Sequence, residues 1–218
     1  MSFISLMELI GTVAFAVSGA LIAIEKKLDY YGIVFLAIIT AVGGGIIRDL
    51  IIDLPLPAAF ENPLYVVISI ISAAAVIAFY KWINRLQRLI TIFDAVGLAA
   101  FTSIGAKAAL DNNVYTVFIV MTLAMLTGVG GGMLRDIFVK EIPFVFRKEV
   151  YAVASLVGAL VFWAASFYLN VKLCMYICFG VTLAIRLVSV RFNWHLATVR
   201  TAAVVNGDER EKTQRKRK

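Results

Sequence analysis

Two phrases of the chain carry most of its chemistry. Gly43-Gly44-Gly45-Ile46-Ile47-Arg48-Asp49 returns 87 positions later as Gly130-Gly131-Gly132-Met133-Leu134-Arg135-Asp136, with five of seven residues identical. Each sits at the end of an apolar run, where helix is expected. A glycine inside a helix costs about 0.8–1 kcal/mol relative to alanine, so each triplet weakens its helix by roughly 2–3 kcal/mol. Two things could offset that cost. Glycines let another backbone approach closely, and Gly128-x-x-x-Gly132 has that small-xxx-small spacing. Alternatively, a helix broken at the triplet exposes carbonyls and half-helix ends that can coordinate an ion in a protein-enclosed cavity. Duplication of three adjacent glycines at matching depth favours the second reading, with helix kinks and an ion pathway at Gly43, Gly44, Gly45, Gly130, Gly131 and Gly132.

The charges that follow each triplet need partners. Adjacent helical residues point about 100° apart, which makes Arg48 with Asp49, and Arg135 with Asp136, unpromising pairs. Carboxylates at the start of other apolar runs are better placed: Glu8 for Arg48 and Asp94 for Arg135. Ionisable groups at membrane depth are costly unless paired or hydrated, so these pairs are expected to clamp the bundle or to flank an aqueous path and set its charge.

Other chemistry is excluded by what the chain lacks. The glycine-rich phrases are followed by no Gly-Lys-Ser/Thr and preceded by no strand, so neither a Walker loop nor a dinucleotide fingerprint fits. His195 is the single histidine, and Cys174 and Cys178 share one helix face, where they bury like small hydrophobes. No catalytic constellation and no zinc site can be assembled from these, so neither an enzyme nor a cofactor is expected, and no metal beyond permeant or bound cations.

The elements that must position these residues follow from composition. Of 218 residues, 61% are hydrophobic and 16% charged, and mean hydropathy is +0.90, far from a soluble domain. Apolar stretches at 3–24, 30–52, 62–80, 89–110, 113–139, 150–171 and 173–191 each approach the ~20 residues that cross a bilayer. Met1 leads straight into the first with no lysines ahead of it, which reads as a span and not a signal peptide. Alternating the loops puts 18 of the 21 lysines and arginines on one side, leaving Arg48, Lys107 and Lys172 on the other. That bias directs the N-terminus outside and the C-terminus to the cytoplasm of a prokaryotic inner membrane. The formal charge of +7 therefore speaks for topology and not for nucleic acid. The basic tail, 193–218, reads as disordered, a topology anchor or a site for anionic lipid.

The repeat extends beyond the triplets. Glu8, Gly11, Phe15 and Gly19 return as Asp94, Gly97, Phe101 and Gly105, and Phe60 and Tyr65 as Phe146 and Tyr151, all at an offset of 86. The chain thus divides into a three-helix repeat at 1–88, a second at 89–172, a seventh helix at 173–192 and the tail. Three is odd, so the second repeat is inverted across the membrane, and functional sites belong where the copies meet.

These features together resemble the prokaryotic branch of the trimeric intracellular cation channels, over residues of about 3 to 191. The resemblance implies an all-α fold of two inverted three-helix repeats plus a seventh helix, assembled as a homotrimer in the lipid bilayer. It also implies a separate pore in each protomer, kinked second and fifth helices, and monovalent cations, chiefly potassium but also sodium, as the permeant species. Relatives of this kind are also labelled glycine transporters, so a carrier of a small amino acid at the same interface is the alternative.

Overall fold

The computed structural model describes residues 3–83, 86–147 and 150–192. The tail with His195, and the loop cations Arg85 and Lys148, lie outside the described residues. Among the described residues the chain is entirely helical: α1 (Phe3–Glu25), α2 (Tyr30–Ile51), α3 (Ala58–Glu61), α4 (Leu64–Phe79), a 3₁₀ turn (Tyr80–Trp82), α5 (Leu86–Asp111), α6 (Val117–Phe138), α7 (Phe144–Arg147), α8 (Val150–Ala165) and α9 (Val171–Arg191). Six of these helices are long and apolar enough to cross a membrane. α8 is apolar but shorter than the span expected at 150–171, because its helix ends at Ala165 in a turn.

The order long, long, short, medium occurs twice, as α1–α4 and as α5–α8. The turns match as well. α1 is followed by Lys27 and α5 by Asn113, both at φ 59°, while α2 is followed by Asp53 and α6 by Lys140, both at φ 58°. Each of these left-handed residues lets the next amide reach back to the helix: Leu28 N–H donates to Ala23 O, Val114 to Ala109, Leu54 to Asp49 and Glu141 to Asp136, at 2.9–3.0 Å. Those bonds satisfy carbonyls that a helix end otherwise leaves open. The short helices α3 and α7 were not foreseen, since four residues carry no readable period.

α1 and α5 form the centre, packed on each other and on α2 and α6; α4 covers the first pair, and α8 and α9 cover the second. On their shared face Phe15 stacks on Phe101, with centroids 5.3 Å apart and planes 17° from parallel. Glycines make the space: a Cβ on Gly97 would run into the Phe15 ring, and one on Gly11 would approach the Phe101 ring at 3.0 Å.

The crossing of α2 and α6 decides the role of the triplets. Both helices run unbroken through them, so the expected helix break is not there. A Cβ on Gly44 would collide with the Thr127 carbonyl oxygen, and one on Gly131 with the Thr40 carbonyl oxygen. Backbone contact across the crossing recovers the helix propensity lost at each glycine, as small residues do between membrane helices. Periodicity could not reveal this, because the partner of each triplet is the other triplet.

Cys174 and Cys178 are free and buried in α9, packed as ordinary apolar side chains.

Candidate functional site

Each Arg-Asp pair closes its own helix and starts the next element. In the first repeat Arg48 Nε and Nη2 both donate to Asp49 Oδ1, at 2.7 and 2.6 Å. The other carboxylate oxygen, Asp49 Oδ2, accepts the Ala58 N–H at 2.9 Å, so Asp49 anchors the start of α3. The second repeat repeats the arrangement: Arg135 Nε donates to Asp136 Oδ1 at 2.9 Å, and the Phe144 N–H donates to Asp136 Oδ2 at 2.8 Å at the start of α7. Adjacent residues thus pair after all. The 100° separation describes Cα–Cβ directions, whereas an arginine stem is long enough to curl round to its neighbour.

The cross-helix pairings divide. Arg135 Nη1 donates to Asp94 Oδ1 at 2.7 Å and to Ser18 Oγ at 2.8 Å, all with 0% exposure. The expected Asp94–Arg135 pair is therefore formed, and it ties α5 and α6 to α1 of the other repeat. The expected Glu8–Arg48 pair is not: Glu8 Oε2 instead accepts from the Tyr65 hydroxyl at 2.7 Å, while Asp49 takes the guanidinium. A matched position also carries a different residue. Ser18 corresponds to Ile104 at the 86-residue offset, so Arg48 has no hydroxyl across the interface to draw it inward.

Arg186 falls within the span expected at 173–191. It lies inside α9, 2% exposed, with its guanidinium carbon 4.9 Å from the centre of the Tyr151 ring. A cation a turn inside an apolar helix, unlike Lys172 and Arg191 at its ends, was the available signal, since such groups rarely face lipid. The guanidinium of Arg135 likewise covers the Phe144 ring at 5.2 Å. The second cluster is deeply buried, and Asp94 Oδ2, Arg135 Nη2, Tyr151 Oη and Arg186 Nε have no hydrogen-bond partner among the described residues.

Two cavities lie at opposite ends of α1. One, of about 40 Å³, is lined by Glu8, Thr12, Gly45, Arg48, Asp49, Tyr65 and Ile104, among others. The second, of about 290 Å³, is lined by Glu25, Lys26, Gln87, Asp136, Glu141 and Phe144, with apolar Ile22 and Ile90. Its rim is bridged by Lys26 to Glu141 at 2.5 Å and by Gln87 to Glu25 at 2.6 Å. From Glu8 to Glu25 a helix rises roughly 25 Å, most of a hydrocarbon core. Of the six triplet glycines only Gly45 lines the first cavity. Gly44 and Gly131 form the crossing, Gly43 and Gly130 pack beside it, and Gly132 faces Tyr151 Oη, where a Cβ would stand 3.1 Å away.

Comparison with known proteins agrees with this architecture. A family model described as Glycine transporter matches twice, over residues 5–81 and 91–166. The inner membrane protein YadS of Escherichia coli (strain K12) is 35% identical over 204 residues, covering 92% of this chain and 97% of that protein. The membrane protein YvgT of Bacillus subtilis (strain 168) is 38% identical over 192 residues, covering 88% and 94%. Among solved structures, a prokaryotic channel crystallised in 0.5 M KCl superposes with a TM-score of 0.84 at 34% identity, covering 88% of this chain and 98% of that one. A trimeric intracellular cation channel orthologue from Rhodobacter sphaeroides gives 0.84 at 31%, covering 89% and 100%.

Proposed function

The chain belongs to the prokaryotic trimeric intracellular cation channel family, and on that premise we propose that it is a passive channel for monovalent cations, chiefly potassium, in the inner membrane. Each protomer of a homotrimer carries its own path, running along α1 and α5 from the Glu8 cavity to the Asp136 cavity and passing between the two repeats. The observation that carries this reading is the pair of carboxylate-bearing cavities at the two ends of α1, one of the two central helices. A cation entering at either end meets oxygen ligands that replace part of its hydration. Neither end offers a closed cage, so binding stays weak enough for release. The constriction lies between, where Phe15 stacks on Phe101 and where α2 crosses α6. With the shorter α8 as a seventh span, an odd number per repeat would set the second repeat upside down relative to the first, and the cation bias would put the N-terminus outside and the C-terminus in the cytoplasm.

Purified protein in planar bilayers, under a potassium gradient, tests the reading. Unitary currents with a reversal potential on the potassium side are expected. Saturable uptake of radiolabelled glycine by proteoliposomes, with no unitary currents, would overturn it in favour of a carrier.

A further inference from the structure

The two charge clusters use corresponding residues but do not balance alike. In the first repeat one guanidinium, Arg48, is occupied by Asp49, and Glu8 is left with the Tyr65 hydroxyl. Among the described residues no cationic group makes an ion pair with Glu8 within 4.0 Å. One arginine against two carboxylates leaves a single negative charge on that cavity. In the second repeat Arg135 binds Asp94 and Asp136 together, and α9 adds Arg186 over the Tyr151 ring. Within that cluster two arginines face two carboxylates, and the cavity beside it is lined by Glu25, Lys26 and Glu141 as well.

Packing separates the clusters in the same sense. Gly45 opens toward the first cavity, where a Cβ would meet nothing nearer than Arg48 Nη2 at 4.0 Å, whereas Gly132 is closed in by Tyr151, Arg135 and Asp94. Ile104, in the place of Ser18, lines the cavity without binding the arginine. Among the described residues α9 has no counterpart in the first repeat, and Arg48 is the one guanidinium lining its cavity.

Resting on the channel reading above, we infer that Glu8 makes the first repeat's end of the path select cations over anions. An unmatched carboxylate on the wall of a narrow cavity with apolar surroundings concentrates counter-ions and excludes co-ions. The Tyr65 hydroxyl fixes its direction without cancelling its charge.

Reversal potentials in unequal KCl solutions test this with the full-length protein. Glu8→Gln is expected to lower the potassium-to-chloride permeability ratio by about tenfold, the low end of what a focused cleft charge does to local ion concentration. Ala59→Lys, on the same cavity wall, cancels the charge while leaving Glu8 and its hydrogen bond in place, and should lower the ratio by a similar factor. This second variant keeps the test open if Glu8→Gln fails to assemble. Wild-type currents that select potassium, with the ratio unchanged in an assembled variant of either kind, overturn the role of Glu8 and leave the channel reading standing. Absence of any current from the wild-type protein overturns both.

Discussion

A single methyl group separates the two roles glycine plays in the triplets. At Gly44 or Gly131 it strikes a carbonyl oxygen of the crossing helix, and a backbone cannot swing aside as a side chain can. Alanine at either position should destabilise the protein by about 3 kcal/mol, the upper range for overpacking, read as a lower melting temperature of the detergent-solubilised protein. At Gly45 the nearest atom is 4.0 Å away, and alanine gains up to about 1 kcal/mol of helix propensity. Gly45→Ala should therefore be at least as stable as wild type yet conduct less, since it narrows the cavity. The carboxylates divide in the same way. Asp94→Asn leaves fully buried Arg135 with one carboxylate fewer and should cost about 3–5 kcal/mol, whereas Glu8→Gln disturbs one part-buried hydrogen bond and should cost about 1 kcal/mol. Equal losses of melting temperature in the two variants would contradict the unequal clusters described here.

Among the elements, α3 and α7 are too short to hold themselves, since a four-residue helix closes almost no internal bonds. Each hangs from the carboxylate that ends the preceding long helix, through Ala58 or Phe144. Asp136→Ala should free α7 and raise amide hydrogen exchange across 140–147, while exchange in α2 stays low. Protection unchanged in that segment would show that α7 is held by packing instead. This level also shows what could be read without coordinates. Long apolar runs, the duplicated phrases and the Asp94–Arg135 pair were legible because they depend on composition, repetition and opposite charge. The unbroken crossing, the Glu8–Tyr65 bond and buried Arg186 were not, because each is decided by what stands opposite in space. Ser18 takes a bond from Arg135 that Ile104, at the matching position, cannot take from Arg48, and nothing local to Arg48 announces it.

For the molecule as a whole, the cation bias predicts that a C-terminal reporter is active only on the cytoplasmic side. Activity on the outer side would reverse both the orientation and the direction in which Glu8 faces. The matched contacts lead further. Phe15 meets its own counterpart Phe101, and the contact of Gly44 with Thr127 is matched by that of Gly131 with Thr40, the residues 87 positions from each. Residue i touching j while j's counterpart touches i's is the signature of an isologous interface, the kind that joins two identical subunits about a two-fold axis. Here one polypeptide contains both subunits. The interior of this protein is therefore arranged as a dimer interface is, within one chain, and a side chain gained at one crossing glycine presses on the backbone of the other copy. Where the copies have parted company, at Ser18 and Ile104 and through the added α9, the molecule has acquired a direction that a symmetric pair could not have.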